Sequence, residues 1–404
     1  MAVPKLRFKD FDQDWTGLKI KDLVKSLDAG VSVNSEDVEP KEDEYSVLKT
    51  SCISSGYFDE NERKRVLQDG EIQRLKEPVL DDSILMSRMN TPLLVGMNAY
   101  VFKAPKNTFL PDRLWQLKID NNKTVTRWLA FYLGSDQGLN QIRDLASGTS
   151  NSMKNITKPD VLNLDLFVPS KEEQTKIASF LSAVDEKISQ LTQKHQLLSQ
   201  YKQGMMQKLF IQQIRFKADD GSEFGEWGIN IIRDVFTNKS KNFNPQNEGN
   251  LPCIELEHLS QNTGKILGTI ESCEQQSTKN LFEKNSVLFG KLRPYLRKFA
   301  KPKFKGVCSS EIWVLTGIKV SNDYLFQYIQ SEQFSELTNI QSGSKMPRAY
   351  WGFISEAEIE YPCLAEQTKI ANFLSAIDQK IEVVAQQIEQ AKIWKKGLLQ
   401  QMFV

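Results

Sequence analysis

The chain has 404 residues, and 52 Lys and Arg against 51 Asp and Glu leave a formal net charge of +1. That length exceeds one ordinary core and predicts two domains. Hydrophobic content of 40% with 25% charge is an ordinary globular composition, without the apolar run of ~18 residues that spans a bilayer. Neither globular half is basic overall, which excludes a broadly cationic protein and confines any nucleic-acid surface to a local patch.

The opening MAVPKLRFKD lacks the apolar stretch of a signal peptide, so a cytoplasmic location is expected. Five cysteines, odd in number and without a CxxC pair, fit a reducing compartment. Residues 1–168 read as a mixed α/β half. VLKTSCI, PVLDDSILMSR and AYVFKAP are strand candidates, and KTVTRWLAFYLGSDQGLNQIRDLA is a helix candidate. Basic candidates for a nucleic-acid contact here are Arg63, Lys64, Arg65 and Arg88, with Lys154 in the polar stretch from Asn151 to Lys158.

Residues 169–213 predict one long helix. Pro169 and the capping box Ser170-x-x-Glu173 mark its start. Ile177, Leu181, Val184, Ile188, Leu191, Leu198, Met205 and Leu209 then recur in steps of four and three, the pattern of a coiled-coil seam.

Residues 214–361 form a second mixed α/β half, with VLFGKLR and EIWVLTGI as strands and NDYLFQYIQSEQFSELTNI as a helix. It holds the most basic strip of the chain. KLRPYLRKFAKPKFKG carries Lys291, Arg293, Arg297, Lys298, Lys301, Lys303 and Lys305 with no acid, interleaved with Tyr295, Phe299 and Phe304. Such a strip can neutralise phosphates, and its arginines can pair with guanine; a solvated strand face is the competing reading. Lys345, Arg348 and Tyr350, after a Ser-Gly turn, are the second candidate, with an ordinary loop as the alternative.

Residues 362–404 predict the second long helix, with the seam Ile370, Leu374, Ile377, Ile381, Val384, Ile388, Ala391, Leu398 and Met402. It is a copy of the first. EQTKIASFLSAVDEKI (Glu173–Ile188) and EQTKIANFLSAIDQKI (Glu366–Ile381) differ only at Ser179/Asn372, Val184/Ile377 and Glu186/Gln379, and both end in a K-x-G-x-x-Q-x-x-F pattern. The seam breaks at matching lysines, Lys202 and Lys395, expected to fix register. Fainter echoes are Arg7-Phe8-Lys9 with Arg215-Phe216-Lys217, Trp15 with Trp227, and Ile84–Arg88 with Val287–Lys291. The order is globular half, long helix, globular half, long helix.

Catalytic parts are scarce. Only His195 and His258 exist, Cys253-x-x-x-x-His258 has no partner pair for zinc, and neither a P-loop nor a G-x-G-x-x-G is present. Asn244-Pro245-Gln246 is a turn rather than a base-holding methyltransferase motif. Asp160 with Asp185-Glu186-Lys187 mimics a nuclease spacing, but the latter lies on the seam helix. No catalytic or metal-binding residue is expected.

Two variable halves alternating with two near-identical helices that open EQTKIA and close K-x-G-x-x-Q-x-x-F resemble the specificity subunit of a type I restriction-modification system, over essentially the whole chain. The resemblance implies an α+β fold: two mixed α/β target-recognition domains, 1–168 and 214–361, alternating with helices that pair as an antiparallel coiled coil about a pseudo-twofold. It implies a non-catalytic subunit that reads a bipartite, asymmetric site in double-stranded DNA, one half per domain. The helices would dock two modification (methyltransferase) subunits and, through them, restriction subunits. S-adenosylmethionine, ATP and Mg would belong to those partners, with no cofactor in this chain and no membrane. A 38-residue helix is ~57 Å long, enough to hold two readers about one DNA turn apart. An enzyme with its own active site, or a coiled-coil scaffold without sequence readout, are the alternatives.

Overall fold

The computed structural model describes residues 4–148, 153–340 and 346–403. The chain folds as two compact units, residues 1–192 with 386–404, and residues 193–385. The division falls inside the long helices rather than at their ends, so each unit owns the front of one helix and the back of the other.

In the first unit, Val24–Ala29, Leu114–Ile119, Ser83–Ser87 and Asn98–Val101 form an antiparallel sheet in that order. Ser83–Ser87 is central and buried at every residue, which is why it reads as a continuous apolar run rather than an alternation. A smaller sheet joins Arg63–Val66, Tyr45–Leu48 and Thr108–Phe109. Thr16–Lys19 pairs antiparallel with Asp165–Val168, the strand that leads into the long helix Lys171–Phe210. The expected strand VLKTSCI stops early: Tyr45–Leu48 is extended, but Thr50–Ile53 turns into a 3-10 helix.

The second unit repeats the plan with different sheets. Gly228–Ile231 pairs with Glu358–Tyr361, which leads into the long helix Leu364–Met402. Phe236–Thr237, Ile312–Gly317, Val287–Gly290 and Phe299–Ala300 form a four-stranded sheet, and a five-stranded sheet centres on Gly306–Cys308. Each predicted globular helix is two. Thr126–Gly134 and Asp136–Asp144 break at Ser135, whose hydroxyl accepts from Gly138 N at 3.1 Å. Asn322–Tyr328 and Glu332–Asn339 break at Ser331, which accepts from Phe334 N at 3.3 Å. Ser-Asp-Gln and Ser-Glu-Gln are thus matching N-caps inside what periodicity alone reads as one helix.

The helix repeat has a structural role on each side. In the first unit Ile177, Leu181, Val184 and Ile188 share a core with Leu398, Met402 and Phe403, and the Phe403 ring lies 6.1 Å from Trp128 and 5.9 Å from Tyr132. In the second, Ile370, Leu374 and Ile377 share a core with Met206, Leu209 and Phe210, and the Phe210 ring lies 5.6 Å from Tyr324 and 5.8 Å from Tyr328. The phenylalanine that closes each repeat is therefore an anchor in the other repeat's core. The expected seam slips near its end, where Met206 rather than Met205 is buried, and Leu198 and Ile381 are only half-buried.

The capping box is half right. Ser170 accepts from Glu173 N at 3.2 Å, but the Glu173 carboxylate is taken by Arg7 in a two-pronged contact at 2.8 Å. Glu366 is held the same way by Arg215, at 3.1 and 2.7 Å, with Trp227 Nε1 donating at 3.2 Å. Both carboxylates are 1% exposed, where the guanidinium fork satisfies charge and lone pairs together. The next residue repeats too: Gln174 accepts from Thr124 and Val125, and Gln367 accepts from Ser321 N at 2.8 Å.

The lysines that interrupt the seam are matched as well. Lys395 pairs with Asp185 at 2.5 Å in the first unit, and Lys202 with Asp378 at 2.6 Å in the second. Asp185 also accepts from Arg127 and Tyr57, whereas Asp378 accepts from the neutral Gln327. Asp185 is thereby committed to structure.

Candidate nucleic-acid interface

The basic strip is a turn and a short strand rather than one strand face. Lys291 leaves the buried strand Val287–Gly290, Pro294–Leu296 forms a 3-10 turn, and Phe299–Ala300 returns against Val287–Gly290. Arg293 (φ 52°, ψ 61°) and Arg297 (φ 48°, ψ 53°) bracket the turn in the left-handed region.

The structure brings the two sequence candidates of this half together. Arg293 N donates to Pro347 O at 2.8 Å, Ala349 N donates to Lys291 O at 2.8 Å, and Leu292 bridges Arg348. Tyr295 (54% exposed) and Tyr350 (60% exposed) project to solvent from the two segments so joined. Among the described residues, the side chains of Lys291 and Arg293 have no hydrogen-bond or ion-pair partner, and Arg348 is paired with Glu311 at 3.1 Å. Lys345 lies outside the described residues.

Several members of the strip are spent inside the protein. Arg297 donates to Gln330 O, Lys298 donates to Leu256 O at 2.6 Å, Lys301 pairs with Asp323, and Lys305 pairs with Glu283 at 2.7 Å. Phe299 is buried and Phe304 packs on a neighbouring core, so Tyr295 is the one aromatic of the strip that faces outward. A sequence strip marks every cation alike; only the turn decides which of them find an acid or a carbonyl.

The first unit builds the same crossing. Met89–Asn90 pairs with Lys154–Asn155, and Ile156 N donates to Arg88 O at 3.1 Å, as Ala349 N does to Lys291 O. Ile156 and Ala349 are both buried under their crossings. Arg88 and Lys291 thus occupy one structural position, and Asn90 stands where the second unit has Arg293. Lys154 donates to Gly148 O at 2.9 Å. Arg63, Lys64 and Arg65 lie apart from this crossing on the strand Arg63–Val66, where Arg65 is neutralised by Glu36 at 2.8 Å and Glu44 at 3.6 Å.

On the long helices, Ile177, Leu181, Val184, Ile188, Leu191, Ile370, Leu374 and Val384 are buried and Ile381 half-buried, so the seam serves packing within this chain and is not open to another. The exposed positions are different ones. Thr175/Thr368, Ala183/Ala376 and Lys187/Lys380 are exposed and identical in the two copies. Phe180 packs edge-on against Trp394 at 6.0 Å and Phe8 at 5.7 Å in the first unit, and Phe373 packs against Phe216 at 5.6 Å in the second. Trp394 and its repeat-equivalent Tyr201 are 53% and 51% exposed.

The type I restriction modification DNA specificity domain is matched twice, over residues 12–200 and 225–392. The chain belongs to that family. The two matches carry one crossing each, so the two matched domains are built alike around different residues. Among curated relatives, the type I restriction enzyme MjaVIII specificity subunit of Methanocaldococcus jannaschii is 23% identical over 96% of this chain and 91% of its own length. The EcoDI specificity subunit of Escherichia coli is 24% identical over 61% of this chain, and the match spans 62% of that relative, under two thirds of its length. In fold, the chain is similar to the S subunit of a type I restriction-modification system from M. genitalium, with a TM-score of 0.60, 18% identity, and 100% and 99% of the two chains covered. A second solved chain, from work on assembly and conformational transition of the type I system, matches with a TM-score of 0.56 at 14% identity, covering 97% and 98%. No helix among the described residues is long and apolar enough to cross a membrane.

Proposed function

We propose that this chain is the non-catalytic subunit that gives a type I restriction-modification complex its DNA address: each globular part reads one block of a split, asymmetric site in double-stranded DNA. The observation that carries the reading is the crossing built twice, at Met89/Asn155 and at Leu292/Arg348, with the same backbone bonds and different side chains. A duplicated mount with changed readers is what two different half-sites require. Candidate contacts are Lys291, Arg293, Tyr295, Arg348 and Tyr350 in one unit and Arg88 and Lys154 in the other, with phosphate contacts positioning and base contacts specifying.

The long helices, by their matched heptads and cross-paired lysines, pair as an antiparallel coiled coil. Their solvent face docks two modification subunits. Exposed side chains are under no packing constraint, so identical ones on two copies point to one partner surface used twice. Through those subunits the restriction subunits join, and S-adenosylmethionine, ATP and Mg act in the partners. The setting is the cytoplasm.

The test is to express the chain with its modification partner in a methylation-free host and map methylated adenines across the genome. Two short defined blocks separated by a fixed unspecified gap are expected. An intact complex that produces no such motif would overturn the DNA-reading role and leave a coiled-coil scaffold.

A further inference from the structure

We infer that Arg293 is a base-reading residue, and that the base it reads is a guanine in the half-site of the second unit. The inference rests on the DNA-specificity reading above and adds to it a residue, a base and an asymmetry between the two halves.

Three features single out Arg293 among the cations of its surface. First, it is available: its guanidinium has no protein partner among the described residues, whereas Arg297, Lys298, Lys301 and Arg348 each have one. Second, it is rigidly mounted. Its N–H donates to Pro347 O at 2.8 Å, its carbonyl accepts from Leu296 N at 2.9 Å, and the buried ring of Pro294 follows it. Holding a non-glycine residue at φ 52° is costly, and such backbone persists where the surrounding structure enforces it. A phosphate contact needs no such mount, because a flexible lysine such as Lys291 serves as a point charge. A planar fork of donors carried on a fixed backbone suits bidentate pairing, and the base edge that offers two acceptors to it is guanine O6 and N7 in the major groove. Third, the exposed rings of Tyr295 and Tyr350 lie on the two segments that meet at this turn, so the turn that carries Arg293 also offers exposed aromatic surface.

The first unit lacks this reader. At the equivalent place Asn90 has its amide engaged locally, with Nδ2 donating to Ser87 Oγ at 3.3 Å and Oδ1 accepting from Thr91 N at 2.9 Å. Dependence on Arg293 is therefore confined to one block of the split site.

The experiment uses the assembled specificity–modification complex with wild-type chain, Arg293→Ala and Arg293→Lys, each mapped for methylated adenines in the same methylation-free host. The expected result is that one G·C position in one block becomes degenerate in both variants, discrimination there falling roughly 5- to 150-fold, while the other block is unchanged. Arg293→Lys keeps the charge and so retains more total methylation than Arg293→Ala while losing the same position. An unchanged motif, a uniform fall at all sites without relaxation, or degeneracy at an A·T position would each overturn the inference. Loss of assembly in both variants would do so too, by making Arg293 structural. A wild-type complex with no split motif would instead overturn the DNA-specificity reading itself, which separates the two failures.

Discussion

Glu173 and Glu366 are carboxylates taken out of water at the first turn of each long helix, and each depends on one arginine from the segment that opens its globular part. Hydrogen bonding to Glu366 raises the pKa of Arg215 while its partial burial works against that, so the guanidinium stays charged at any working pH. Removing it leaves an uncompensated buried anion. Arg215→Met is expected to destabilise the second unit by about 3–5 kcal/mol, and Arg215→Met with Glu366→Met to recover much of that loss, because an apolar pair replaces a buried ion pair at little cost. Urea unfolding of the four members of this double-mutant cycle measures it. Arg7 and Glu173 make the same pair, so Arg7→Met is expected to behave alike in the first unit.

The long helices carry their register in two ion pairs that periodicity alone leaves as defects. Burial pulls the Lys202 ammonium below its usual range, and Asp378 holds it part-way back. Lys202→Glu places a second anion against Asp378 and is expected to cost about 3 kcal/mol, with partial rescue by Asp378→Lys; thermal unfolding of the variants reads this out. The first unit carries a pH dependence of its own, from Tyr132 on the helix Thr126–Gly134 and Tyr100 on the strand Asn98–Val101. Burial raises Tyr132 from 10.0 to about 12, and burial followed by Asp82 raises Tyr100 to about 12. The unfolded chain releases these protons first, so their contribution is complete below pH about 10 and is lost as pH rises from about 10 to about 12. Unfolding measured at pH 9 and pH 11 should show the decline, and Tyr132→Phe should reduce its slope.

Each unit presents its own exposed aromatic, Trp394 packed on Phe180 in one and Tyr201 in the other. Aromatics in such positions are where binding energy concentrates. On the docking proposed above, Trp394→Ala or Tyr201→Ala alone is expected to leave one modification subunit tightly held, and the double variant none. The mass of the complex under dilution, measured for each variant, distinguishes this from loss of both partners in either single variant.

Much was legible before any coordinates. Sixteen residues repeated with three changes established the duplication, and the step of four and three marked the seam. These are local or periodic signals, carried by neighbours in sequence. Which side chains meet was set by the fold. Arg7 and Arg215 became the clamps of Glu173 and Glu366, at Glu173 in place of the expected reciprocal capping bond, because a buried carboxylate is better satisfied by a charged fork than by one backbone amide. Phe210 and Phe403 became anchors in the opposite repeat's core. The basic strip, uniform in sequence, divided into cations held by Gln330, Leu256, Asp323 and Glu283 and others without a partner among the described residues, of which Lys291 and Arg293 lie on the segment joined to Arg348 and Tyr350. That selection depends on partners 22 to 42 positions away in the chain, set by loop geometry that no local pattern encodes.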